Sequence, residues 1–220
     1  YHSQHPSLRE ARCFNRIPRV YGNCRELDLR LFGHQLEKLP DEALMQKAAA
    51  GSEAAVTVLY HRYSRPLFRY FFRMLWKDKA KAEDFLHDLF INIMEAGKKF
   101  DSGRSFSTWI YSIAHNMCKN EYRKRAFRLA VNGHHQPEES LPEAAMHPLD
   151  EQMFHFLLDK CLASEEEEVR TMFVLRYELE MNVSEISLII GCPEGTVKSR
   201  LFYLKKRLAA QLQQYKVMLE

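Results

Sequence analysis

The chain reads as an all-α protein of two small helical domains joined by an acidic, flexible linker, and three features lead there. Apolar residues recur at helical spacing through several long segments, and no segment sustains the alternation of a strand. Eight glycines and eight prolines in 220 residues are too few and too scattered for a turn-rich all-β fold. Between residues 132 and 149 the periodicity stops, and Gly133, Pro137, Pro142 and Pro148 collect there as linker residues do.

Residues 1–38 carry weak patterning and are expected to form an uncharacterised N-terminal extension. From Asp41 the chain reads as successive helices. Asp41 or Ser52 suits a helix start, Pro66 suits the first turn of a new helix, and Gly97 and Gly103 suit breaks. Two segments are strongly amphipathic. Phe85, Leu86, Leu89, Phe90, Ile93 and Met94 form one stripe, and Phe106, Trp109, Ile110, Ile113, Ala114 and Met117 form the next. Beyond the linker, helical patterning resumes at Phe154, Leu157, Leu158 and Cys161 and continues through Met172, Phe173 and Leu175. The expected domains are therefore 39–130 and 150–220, with 131–149 between them.

The stretch from Asn182 to Leu208, NVSEISLIIGCPEGTVKSRLFYLKKRL, carries the most information. A short helix starting near Ser184, whose hydroxyl can satisfy an orphan amide, would bury Ile186, Ile189 and Ile190 and end at Gly191, a residue suited to the left-handed backbone of a helix end. Cys192 and Pro193 make a turn. A second helix would bury Val197, Leu201, Leu204 and Leu208 while exposing Glu194, Thr196, Lys198, Ser199 and Arg200 near its start. This is the build of a helix-turn-helix, whose second helix presents its early residues to the DNA major groove.

Charge supports that direction. The net charge of +3 is mild, but its distribution is not. Residues 119–128 hold Lys119, Arg123, Lys124, Arg125 and Arg128 against Glu121 alone, and residues 198–207 hold Lys198, Arg200, Lys205, Lys206 and Arg207 with no acid. Between them, Glu138 to Glu168 contains ten acids and only Lys160 as a base. Two basic patches on separate helical domains suit phosphate contacts at two places along a nucleic acid.

Other classes lose ground. No run of eighteen apolar residues exists, so no transmembrane helix and no membrane insertion is expected. The opening stretch lacks the apolar core of a signal peptide. Five cysteines without a CxxC pair fit a reducing cytoplasm better than a disulfide framework or a zinc site. Glu83 and His87 lie one helical turn apart but have no third ligand in register, so no metal and no cofactor is expected. No phosphate-binding Gly-rich loop or nucleophile motif appears, which argues against an enzyme.

Three segments taken in order carry a family resemblance: AEDFLHDLFINIMEAGKKFD, SFSTWIYSIAHNMCKNEYRKR, and GTVKSRL after its GCP turn. They resemble regions 2.2, 2.3–2.4 and 4 of bacterial sigma factors. Their spacing, with no third domain between, resembles the extracytoplasmic-function group. The resemblance covers about residues 41–212 and implies a non-enzymatic initiation subunit that binds core RNA polymerase and promoter DNA. It also implies an anti-sigma factor as a further partner.

By that resemblance, Asp84, His87 and Asp88 on the polar face of one helix would bind core polymerase, with His87 standing where the family usually has glutamine. Asp101, Ser102, Arg104 and Ser105 would line a pocket for a flipped base of the minus-ten element. His115, Asn116, Lys119, Asn120 and Arg123 would face DNA there, with His115 replacing a common arginine. Thr196, Lys198, Ser199, Arg200, Phe202 and Lys205 would engage the minus-thirty-five element, with Arg200 as a phosphate clamp or a structural residue and Tyr203 replacing another arginine. The acidic linker would thread the polymerase cleft or act as a plain tether. The alternative function is a stand-alone helix-turn-helix regulator, which would need a ligand pocket or receiver domain within residues 41–128.

Overall fold

The computed structural model describes residues 36–97, 100–132 and 151–218, and every regular element among them is helical. Helix α1 spans Asp41–Ala49, α2 Glu53–Met74, α3 Lys79–Ala96 and α4 Phe106–Asn132. Then follow α5 (Glu151–Ala163), α6 (Glu167–Phe173), a wider π turn over Val174–Glu178, α7 (Val183–Ile190) and α8 (Glu194–Met218). The all-α expectation holds. The linker expectation falls outside the described residues, apart from the two that end α4.

The chain divides into two compact units. The first joins the described residues up to Phe68 with Glu83–Ser107, and the second joins Arg69–Ala82 with the described residues from Thr108 onward. In the first unit Leu44 and Met45 of α1, Leu59 and Leu67 of α2, and Leu89 and Ile93 of α3 build a core that Phe106 completes. Ring contacts tie the helices together: Tyr60 lies 4.8 Å from Phe90 and Tyr63 5.2 Å from Phe106. Ser52 begins α2 by accepting the Ala55 amide at 3.3 Å. Asp41 sits in the first turn of α1, after Pro40, and binds the Arg62 guanidinium and the Tyr63 hydroxyl.

Pro66 does not open a helix. It lies inside the 22-residue α2, where it forfeits one backbone hydrogen bond. Burial of Leu67, Tyr70 and Phe71 directly after it keeps the helix running.

In the second unit, Tyr70, Phe71 and Met74 of α2 and Ile110, Ala114 and Cys118 of α4 share a core with Leu162, Val169, Met172 and Leu175. Arg73 pairs with both Asp159 and Glu178, and Lys77 Nζ lies 2.7 Å from Asp159 Oδ2. Trp76 and Lys77 both take left-handed backbone (φ 56° and 59°), unfavourable for side-chain-bearing residues. The Trp76 ring is held in return, with Tyr122 at 5.0 Å and the Arg125 guanidinium 4.0 Å over its face. The helical pattern read through Phe154–Leu175 is interrupted. Ser164–Glu166 break it between α5 and α6, since four successive glutamates supply no apolar residue to carry the stripe.

Candidate nucleic-acid interface

The two helices of the helix-turn-helix form as their periodicity requires. Asn182, not Ser184, caps α7: its Oδ1 accepts the Glu185 amide at 2.9 Å, and the Glu185 carboxylate accepts the Asn182 amide at 2.8 Å. The Ser184 hydroxyl donates to Asn182 Oδ1 instead. Both residue types cap well, and the glutamate three residues on favours Asn182 by closing a reciprocal pair. Gly191 ends the helix in left-handed conformation (φ 79°), and Ser187 Oγ donates to the Cys192 carbonyl at 2.7 Å to fix the turn. Helix α8 then buries Val197, Leu201, Leu204 and Leu208, the stripe read from sequence.

That burial leaves Lys198, Ser199, Phe202 and Lys205 exposed, with Phe202 at 64% accessibility. Thr196 is half-buried. Arg200 is half-exposed with its Nη1 2.7 Å from Glu168 Oε2, and Arg207 forms a two-point pair with Glu165 at 2.5 and 2.8 Å. These two arginines tie α8 to the α5–α6 turn and to the start of α6. Sequence reading missed the partners because they lie 32 and 42 residues upstream. Their signal was the run Glu165–Glu168 itself.

The loop Phe100–Ser105 precedes α4 and exposes Asp101, Ser102, Arg104 and Ser105 together. Asp101 organises it: Oδ1 accepts the Gly103 amide at 3.0 Å, and Oδ2 lies 3.5 Å from Arg104 Nε. On α4, Asn116, Asn120 and Arg123 are exposed and Lys119 is half-buried.

His115 departs from its expected place on the DNA-facing side. It is 2% exposed, and neither ring nitrogen has a hydrogen-bond partner. Burial, then the nearby Lys119, hold its pKa below the ordinary histidine value, while Glu168 opposes them. Glu168 lies 3.7 Å from Lys119 and also takes Arg200, whose hydrogen bond leads in holding its carboxyl below the usual range. One carboxylate on α6 thus engages two cations expected on DNA. More of the basic cluster at 119–128 is engaged internally: Arg125 lies on Trp76, and Arg128 Nη2 is 2.8 Å from Glu121. Burial pushes the Glu121 carboxyl up, but Lys81 at 2.6 Å and Arg128 outweigh it and the pKa falls. Arg123 and Lys124 remain exposed.

On α3, Asp84, His87 and Asp88 stand exposed together, opposite buried Leu86, Leu89, Phe90 and Ile93. No group of three or more metal-ligand side chains occurs among the described residues.

Helical bundle, acidic helix face, loop and helix-turn-helix together define a sigma-70-type transcription initiation factor. Residues 59–128 match Sigma-70 region 2, and residues 155–208 match Sigma-70, region 4. The chain is 31% identical over 176 residues to the ECF RNA polymerase sigma factor SigL of Mycobacterium tuberculosis, covering 78% of this chain and 97% of that protein. It is 26% identical over 189 residues to the ECF RNA polymerase sigma-E factor of Escherichia coli, covering 80% and 96%. The chain belongs to the extracytoplasmic-function (ECF) group of RNA polymerase sigma factors, and it directs promoter-specific transcription initiation. Its fold is similar to that of CnrH, solved with the cytosolic domain of CnrY (TM-score 0.60, 22% identity, 79% of this chain and 97% of that one). It is also similar to RpoE of Bartonella quintana, solved with the anti-sigma factor NepR (TM-score 0.57, 21% identity, 70% and 96%).

Proposed function

We propose that this sigma factor divides its work among three surfaces. The exposed face of α3, carrying Asp84, His87 and Asp88, docks on core RNA polymerase. The loop from Asp101 to Ser105 takes an unpaired base of the minus-ten element, with Asn116, Lys119, Asn120 and Arg123 on the adjoining DNA. The outward side of α8, with Thr196, Lys198, Ser199, Phe202 and Lys205, reads the minus-thirty-five element in the major groove. Residues 39–130 and 150–220 act as the two promoter-reading domains, and 131–149 links them.

One observation carries this reading: α8 buries an unbroken apolar stripe and turns Lys198, Ser199, Phe202 and Lys205 outward directly behind a tight glycine turn. A packing hairpin has no use for that outward set. An enzyme reading has no nucleophile or phosphate loop to stand on, so the protein acts without catalysis of its own. Dependence on core RNA polymerase supports action in the cytoplasm, and no described helix is long and apolar enough to cross a membrane. The neighbour RpoE is solved with an anti-sigma factor, and a partner of that class supports control of this chain by an envelope or extracellular signal.

The test is run-off transcription with purified core enzyme and mapped start sites, alongside Asp88→Arg. The wild-type chain should give discrete start sites. The variant should keep its circular dichroism and lose core affinity by roughly tenfold or more, the scale of a reversed charge at an interface. Unchanged core affinity in a folded Asp88→Arg protein would remove α3 from the docking surface.

A further inference from the structure

Helix α1 precedes the Sigma-70 region 2 match, which begins at residue 59, yet it touches both stems of the loop that carries Asp101–Ser105. At one stem it lies against the end of α3: a Cβ at Gly97 would come 2.7 Å from Met45 Cε and 3.3 Å from Ala49 Cβ. At the other stem, Glu42 Oε1 accepts the backbone amide of Phe106 at 2.9 Å. Phe106 is the first residue of α4, and its N–H is one of those a helix cannot satisfy within itself. A carboxylate there gains a charge-assisted hydrogen bond and a favourable position at the positive end of the helix.

The surroundings leave that bond little freedom. Asp41, next in sequence, holds Arg62 and Tyr63 of α2, and Arg62 also donates to the carbonyls of Glu37 and Leu39. The Tyr63 ring packs on Phe106, which is fully buried and lies 5.8 Å from the Phe100 ring. Phe100 and Phe106 therefore close the base of the loop, and Asp101–Ser105 project from it.

We propose that Glu42 is a positioning residue for the unpaired-base pocket: it fixes the first amide of α4 and thereby the angle at which Asp101, Ser102, Arg104 and Ser105 meet the DNA. The inference rests on the reading of that loop as the base pocket. It assigns to α1 a part in promoter opening rather than in core binding, since Asp84, His87 and Asp88 lie on α3.

The experiment uses full-length protein assembled with core polymerase and compares Glu42→Ala, Glu42→Gln and Asp101→Ala. Four quantities are read: core affinity, thermal midpoint, open-complex rate, and base preference across a minus-ten library. Glu42→Ala should slow open-complex formation roughly tenfold, the scale of a lost hydrogen bond to a charged group, and blunt base preference. Core affinity should stay near wild type, and the thermal midpoint should fall by only the few degrees that one lost cap bond costs. Glutamine keeps the acceptor oxygen, so Glu42→Gln should recover the rate to within about threefold.

Four outcomes overturn the proposal. Glu42→Ala could match wild type while Asp101→Ala is impaired, in which case the pocket stands without Glu42. Glu42→Gln could fail as badly as Glu42→Ala, which would show that the acceptor bond to the Phe106 amide is not what acts. Glu42→Ala could lower core affinity together with a thermal midpoint drop well beyond that of one cap bond, which would give Glu42 a general folding role. If Asp101→Ala leaves rate and preference unchanged, the base-pocket reading itself falls and the inference falls with it.

Discussion

His115 illustrates how a residue's role depends on what packs over it. On α4 alone its position belongs with Asn116 and Lys119, yet it is buried with both ring nitrogens unpartnered. The charged groups facing it are Lys119 on its own helix and Glu168 on α6, which in turn holds Arg200 of α8. With its folded pKa depressed, the unfolded chain binds a proton more readily than the folded one. The stabilisation is therefore full above the ordinary value of 6.5 and is lost as pH falls below it. Glu167, whose pKa burial raises, acts in the opposite sense at lower pH and is common to both proteins compared. The urea midpoint of the wild type should fall between pH 7.5 and 5.5 by more than that of His115→Leu. Equal falls would mean that His115 is not held neutral.

At the level of elements, the turn between α7 and α8 decides how the recognition helix is presented. Gly191 has φ 79° and open space around its Cβ position, so a side chain there meets backbone strain and no clash. Gly191→Ala should cost about 1–2 kcal/mol. Gly195, in the first turns of α8, also has open space and carries no such φ. Gly195→Ala should be neutral or stabilising by up to about 1 kcal/mol, because alanine is the better helix former. Thermal denaturation of the two variants checks both signs, and equal effects would contradict the assigned turn.

Helix existence, the buried stripe of α8 and the outward placement of Lys198 were legible because each follows from local periodicity. Cap identity was half legible: Asn182 and Ser184 compete on propensity, and the bond to Glu185 decides between them. Pro66 misled because its cost is local while the burial that outweighs it comes from other helices. The engagement of Arg200, Arg207 and Lys119 was not legible, since each meets a glutamate that only folding brings near. Glu42 was hidden for the same reason, 64 residues from its partner amide.

For the whole molecule the central claim is that upstream and downstream promoter preferences reside on separate elements, α8 and the Asp101–Ser105 loop. The most direct measurement is a promoter-library transcription assay on three variants. Lys198→Ala should relax preference at one or two upstream positions, since a good base contact carries roughly 1–3 kcal/mol of discrimination. Asp101→Ala should alter downstream preference alone and slow opening. Lys205→Ala should weaken transcription from all sequences alike and lower the salt slope by about one. The account is contradicted if Lys198→Ala changes only the downstream element, or if Asp101→Ala changes only the upstream one.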